Sequence, residues 1–363
     1  MKKFFCIIFA AMLLLSAAAC SKPDITEETT TEITTETTTQ AISDLPADTL
    51  PPERFAPISD ITDASSVKEL IKGWATNGGD KMSNRNVINI LLIGEDYVDG
   101  SSRSDATILI SIDRKSKKIT LTSILRDSYT YMNIKGQDRY DKTNHAYAWG
   151  GAEKLVEVIS DNYKIRIDHY AVIDFESFVA AVDEIGGVHV NITQAEADYM
   201  NKTSGVDTYK SGANVKLNGK EALYFARIRK LDGEPERTER QRRLIKAYMN
   251  EVSKLSVEEA QGALLSVMPY VSTDCDDLEL LTLAADAMNE NWIGFEVISQ
   301  IAPDTANRKS FNGYKTHTGN LDVWIVDYVK AAQDLQNSIY GNSNITLESV
   351  RKSAIDLANN SEY

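Results

Sequence analysis

The stretch from Arg103 to Asp127, RSDATILISIDRKSKKITLTSILRD, permits few arrangements. Two apolar runs flank the basic segment RKSK (114–117), which reads as a turn, and side-chain alternation then fixes a register. Asp113 falls opposite Lys118, Ile112 opposite Ile119, Ile110 opposite Leu121 and Ala106 opposite Leu125. That face of the hairpin is apolar except where Ile108 meets Ser123. The other face carries Ser111 with Thr120, Leu109 with Thr122 and Thr107 with Ile124. The same register sets Asp105 opposite Arg126, with Arg103 and Asp127 beside them. A surface ion pair of this kind is worth little by itself. It gains meaning only if other polar groups converge on the same end.

A second polar cluster supplies candidates. Residues 227–246 hold eight basic and four acidic side chains. Leu244, Tyr248, Val252 and Leu255 form an apolar helical stripe, and Gln241 and Arg237 continue it toward the N-terminus. A solvated basic helix start accounts for Arg242 and Arg243 on the outer face. It accounts less well for an arginine and an amide on the stripe. Arginine's planar fork matches phosphate oxygens, and carboxylates hold Mg²⁺ that in turn binds phosphate. Phosphoryl transfer needs charge neutralisation and positioning more than a protein nucleophile. Asp96, at the end of the strand-like run NVINILLIGED (86–96), is a further candidate ligand. The four histidines, His145, His169, His189 and His317, are widely scattered, so no zinc site is expected. Neither a G-x-S-x-G nor a P-loop motif occurs.

The rest of the 363-residue chain reads as strands mixed with helices. Strands are expected at 165–175, 188–192 and 293–301. Helices are expected at 150–163, 176–185, 218–229, 236–255, 257–268, 277–289 and 321–339. Together they predict a three-layer α/β/α sandwich around a mixed, mostly antiparallel sheet. The domain is placed at 85–342, with a polar tail at 343–363. Residues 1–20 read as a secretory signal ending at Cys20, a lipidation candidate; plain cleavage and an uncleaved anchor are the alternatives. Residues 21–80, Thr- and Glu-rich, carry 12 acidic and 4 basic side chains and read as a disordered tether. Cys275 is then the only cysteine left in the mature domain. A net charge of −14 argues against a nucleic-acid partner.

In order along the chain, NILLIGED, SRSDATILIS, LTSILRDSY, DKTNHAYAWGG, HYAVIDFESFVAAVDEIGGVHV, LNGKEALYFARIRKLDGEPERTERQRR and VDYVKAAQDLQNSIYG resemble the LytR–CpsA–Psr (LCP) phosphotransferases. The resemblance implies transfer of a glycopolymer, such as a teichoic acid or capsular polysaccharide, from a polyprenyl-pyrophosphate lipid to a peptidoglycan hydroxyl. The location implied is the outer membrane face. It also implies Mg²⁺ on Asp96 and Asp105, and a pyrophosphate lined by Arg103, Arg126, Arg227, Arg229, Arg237 and Gln241, with Arg240 in the same motif. An apolar groove for the lipid is implied too, and helices 151–162 and 176–185 are its candidate walls. The sequence departs from the family pattern at Leu125 (usually Pro), at Tyr97 and Val98 (where an Arg often follows the first Asp), at Glu234 (often Asp) and at His189. The alternatives are a polyprenyl-pyrophosphate hydrolase and a lipoprotein that binds a polyanion without turnover.

Overall fold

A computed structural model of the chain describes residues 64–345, apart from 78, 99–100, 206, 257–258, 260–261 and 264–269. Helix α1 (Ala64–Asn77) precedes strands β1 (Val87–Val98), β2 (Ser101–Asp113) and β3 (Lys118–Ile124). A small hairpin follows, β4 (Tyr129–Ile134) with β5 (Gln137–Lys142), then α2 (His145–Tyr163) and β6 (His169–Ile173). Next come α3 (Phe175–Glu184), β7 (Val188–Ile192), α4 (Gln194–Ser204), β8 (Gly212–Leu217), α5 (Gly219–Ala226) and α6 (Glu234–Val252). The last part holds β9 (Val271–Thr273), α7 (Asp277–Glu290), β10 (Glu296–Ala302), β11 (Arg308–Lys315), β12 (Asn320–Val326) and α8 (Tyr328–Tyr340).

The central sheet runs β10-β3-β2-β1-β6-β9. β1–β2, β2–β3 and β6–β9 pair antiparallel; β1–β6 and β10–β3 pair parallel. The hairpin register is the one the alternation dictates, from Asp113↔Lys118 to Ile108↔Ser123. Both faces of the sheet are covered, which is why β1 reads as a nearly unbroken apolar run. Ile90, Ile108, Ile110, Ile112, Ile119 and Leu121 pack with Met249 of α6 and Leu280 and Leu283 of α7. On the opposite face, Leu91, Ile93, Leu109 and Ile124 pack with α1, α2 and α8. The polar side chains of the hairpin's second face are buried there, and Thr122 is tied to the neighbouring strand and helix. Gln300 donates to Thr122 Oγ1 at 2.9 Å and accepts from Ser338 of α8 at 2.7 Å. The polar break at Ser123 on the other face is filled by Arg242, whose Nη1 donates to Ser123 Oγ at 2.5 Å. Arg242 is therefore buried, not on the solvated outer face as expected.

Other expectations are corrected. The tether assigned to 21–80 ends too late, since residues 64–77 form α1. Its stripe Val67, Ile71 and Ala75 is buried in the core, and Trp74 Nε1 donates to the Asn162 carbonyl at 2.8 Å. A single helix over 321–339 is also wrong: Asn320–Val326 is a strand, and the helix begins at Tyr328. The reason is a period of two in NLDVWIV, where Val323 and Ile325 are buried while Asp322 is exposed. The helix expected at 150–163 begins earlier, at His145, and bends at Gly150–Gly151. The helix expected at 257–268 lies largely outside the described residues, as do the signal, Cys20, most of the tether and most of the tail.

Candidate active site

The site begins with an irregularity. β1 and β2 slip register by one residue between Gly94↔Ala106 and Glu95↔Ser104, leaving Asp105 as the extra residue of a β-bulge. A bulge bends the strand and re-aims a side chain. Gly94 fits the tight crossing, because a Cβ there would lie 3.0 Å from Ala106 Cβ. Arg237, in the first turns of α6, donates from Nη2 to the Asp105 carbonyl at 2.8 Å. The hairpin edge and the start of α6 therefore meet directly.

Around this contact the charges interlock. Arg126, just past β3, is ion-paired with the Asp105 carboxylate, and its Nε lies 3.7 Å from both Asp127 and Glu234. Glu234, the first residue of α6, holds Arg237 at 2.5 Å and Arg229 at 3.0 Å. Asp127 takes Arg229 Nη2 at 3.1 Å and Lys142 Nζ, from the end of β5, at 2.8 Å. Arg227 stands at the end of α5 with its guanidinium 4.6 Å from the centre of the Phe175 ring.

The two carboxylates are unequal. For Asp96, burial and then the Asp105 charge push the pKa above the usual carboxylate value. Burial pushes Asp105 the same way, but Arg126, Arg237, Arg227 and Arg229 outweigh it and hold that group low. Of the pair, Asp96 is the more basic in the protein alone. Burial pulls Arg229 below an ordinary arginine, and the repulsion of Arg126 and Arg237 adds to this against the attraction of Glu234 and Asp127. An anion placed here would relieve cation crowding.

Beside the charges lies an apolar pocket. Leu92, Ile108, Ile173, Phe178, Leu223 and Leu244 contribute to its greasy wall, and Asp105, Asp174, Arg227, Arg237 and Gln241 form the polar one. Gln241 Oε1 is buried and makes no hydrogen bond among the described residues. The pocket sits between the ends of β1, β2 and β6 and helices α3, α5 and α6. α3 and α5 can approach because Gly219 has no Cβ; one would fall 2.3 Å from the Val179 carbonyl oxygen.

Most candidate residues meet here, with two exceptions. Arg240 is 2% exposed and points elsewhere, pairing with Glu196 and Asp232 and donating to the Ile228 carbonyl at 3.0 Å. Its role is to tie α6 to α4 and the 228–232 loop, not to line the pocket. Arg103 is exposed on the rim, with Asp96 as its ladder partner, and is not part of the pocket wall. Helix 151–162 packs into the α1–α8 side of the core; of the two expected lipid-groove helices, only α3 contributes. Lys142 was missed. Its signal was the two-residue turn Lys135–Gly136, both at positive φ (52° and 82°), which marks the β4–β5 hairpin that delivers it.

The structure is thus an α/β sandwich that brings paired carboxylates and buried arginines to the edge of an apolar pocket. The chain belongs to the LytR_cpsA_psr family, whose model matches residues 59–323. It is 37% identical over 209 residues to the Oceanobacillus iheyensis protein named polyisoprenyl-teichoic acid–peptidoglycan teichoic acid transferase TagU, across 55% of this chain and 62% of that one. A protein of the same name from Enterococcus faecalis is 34% identical over 212 residues, across 56% of this chain and 67% of that one. The matches thus span 62% and 67% of these relatives' length. Among solved structures, TagT bound to LIIa-WTA superposes with a TM-score of 0.57 at 23% identity, covering 71% of this chain and 94% of that one. B. subtilis TagT gives 0.55 at 23%, covering 74% and 97%. At that identity the likeness is one of fold. Among the described residues, no helix is long and apolar enough to cross a membrane.

Proposed function

We propose that this chain transfers a glycan phosphate from a polyprenyl-pyrophosphate lipid to a peptidoglycan hydroxyl. It would work at the extracytoplasmic face of the membrane, held there by lipid on Cys20. The observation that carries this reading is the junction of the apolar pocket with Asp105, Arg227, Arg237 and Gln241. A polyprenyl diphosphate has the same two halves, and the names of the relatives match that chemistry.

Asp96 and Asp105 offer only oxygen donors. Burial and then the neighbouring Asp105 charge, which together raise Asp96, favour a hard divalent cation there, so the pair fits Mg²⁺. When bound, Mg²⁺ supplies positive charge to the diphosphate oxygens. The chain's own groups do the rest. Arg227 and Arg237 grip the diphosphate, and Gln241 orients it. Arg126 and Arg229, fixed from behind by Asp127 and Glu234, spread the charge that develops as polyprenyl phosphate departs. The acceptor hydroxyl attacks the sugar-linked phosphorus. An Asp96 oxygen that the metal leaves free would take its proton, because Arg126 already occupies the Asp105 carboxylate.

The test is transfer by the purified full-length protein, using lipid-linked glycopolymer, peptidoglycan and Mg²⁺. Release of polyprenyl phosphate together with polymer bound to peptidoglycan is expected. Arg126→Ala should lower the rate by roughly 10²–10³-fold, as loss of one charge-stabilising donor does. Equal release without peptidoglycan would point to a hydrolase, and tight polymer binding without release to a binding lipoprotein. Near-normal transfer by Arg126→Ala would overturn the mechanism.

A further inference from the structure

A second group of metal-ligating side chains lies at the far end of β6 from the pocket. His169 opens β6 and pairs with Ile90, whereas the pocket residues Ile173 and Asp174 lie at its other end, roughly 13 Å away at about 3.3 Å per residue. Asp274 and Cys275 follow β9, the antiparallel neighbour of β6 at the sheet edge. One donor atom from each of His169, Asp274 and Cys275 lies within 4.8 Å of the other two.

Their backbone is clamped. The Tyr170 amide donates to Asp274 Oδ1 at 2.8 Å, and Thr273 Oγ1 donates to the Tyr170 carbonyl at 2.6 Å. The Cys275 amide in turn donates to Thr273 Oγ1 at 3.2 Å. The chain then enters α7 through a reciprocal pair, the Asp276 amide to Glu279 at 3.0 Å and the Glu279 amide to Asp276 at 2.8 Å. His169 Nδ1 stands 3.9 Å from Asp274 Oδ1, too far for a hydrogen bond. In a tetrahedral zinc site the ligand atoms are roughly 3.3–3.8 Å apart, so a side-chain adjustment of about 1 Å would seat the ion.

We propose that His169, Asp274 and Cys275 form a Zn²⁺ site that fastens β9 and the start of α7 to β6. Histidine nitrogen, carboxylate oxygen and thiolate are the donors zinc takes. A soft sulfur ligand separates this site from the all-oxygen pair Asp96–Asp105. Asp274 is partly exposed and gives the ion an entry path, while Cys275 faces the core. Burial, opposed by a bond with Thr273 and reinforced by Asp274, Glu279 and Asp276, pushes the Cys275 thiol up to about 12. The same acids draw a cation, and binding exchanges the thiol proton for the metal and releases it to solvent. Scattered histidines gave no reason to expect zinc; only one histidine is needed when the other donors arrive on a neighbouring strand.

The experiment uses the full-length protein in detergent, dialysed against Zn²⁺ and, separately, Co²⁺. About one zinc per chain is expected at this site, with a sulfur-to-cobalt charge-transfer band in the Co²⁺ form. Cys275→Ser and His169→Gln should each weaken zinc binding at least about 10-fold, and Cys275→Ser should abolish the band. Asp105→Asn should leave both intact. Should either ligand variant unfold, the wild-type Co²⁺ form still decides the matter, because Cys275 is the only thiol among the described residues that could give the band. Full zinc binding by Cys275→Ser, its loss in Asp105→Asn alone, or no sulfur-to-cobalt band in the wild-type Co²⁺ form would overturn the proposal.

Discussion

At the residue scale, Asp127 is the hub behind the site. Burial alone would raise its pKa, yet Arg126, Lys142 and Arg229 hold it far below an ordinary aspartate. A carboxylate with a lowered folded-state pKa stabilises the fold above its unfolded value, near pH 4. That contribution is lost as pH falls from there through the folded pKa. Denaturant titrations between roughly pH 5 and pH 2 should therefore show a shallower loss of stability in Asp127→Asn than in the wild type. Equal slopes would mean that Asp127 is not a significant source of acid sensitivity. Lys142 and Arg229 reach Asp127 from β5 and the loop after α5, so their convergence has no local signature. Asp105 differs: its pairing with Arg126 follows from the alternation of one hairpin. Even there the bulge was hidden, because it depends on β1.

At the scale of elements, α6 divides its arginines between two tasks. Arg237 faces the pocket, Arg242 fills the polar break at Ser123, and Arg240 is locked to Glu196 of α4 and Asp232. Helical periodicity placed Arg237 and Gln241 on the buried stripe. It could not place Arg240 and Arg242, because α6 is covered on more than one side. Arg240→Ala would leave Glu196 and Asp232 without that partner. It should cost about 3–5 kcal/mol in chemical denaturation, as breaking a buried ion pair does. Transfer per folded molecule should stay near wild type; a catalytic defect larger than the folding defect would return Arg240 to the site.

At the scale of the whole molecule, α1 belongs to the domain. Val67, Ile71 and Ala75 are buried with α2, β4 and α8, and Lys164 Nζ donates to the Ala75 carbonyl at 2.9 Å. A chain begun at residue 81 should therefore melt well below one begun at residue 59, measured by circular dichroism. Equal melting temperatures would make α1 an accessory. The helix was hidden in the sequence because its short apolar stripe follows a Thr- and Glu-rich segment and has charged residues on its open side.

The amino-acid order by itself determined the hairpin register, the layered α/β class and the inward stripe of α6, because each rests on a period of two or 3.6 within one short segment. It also carried the family resemblance, through motifs whose order survives in the chain. The tertiary structure decided which charges share a site, since Asp96, Asp127, Lys142, Arg229 and Glu234 meet across strands and loops whose spacing says nothing about contact. It likewise brought His169 beside Cys275, because pairing at a sheet edge joins residues that the chain itself keeps apart.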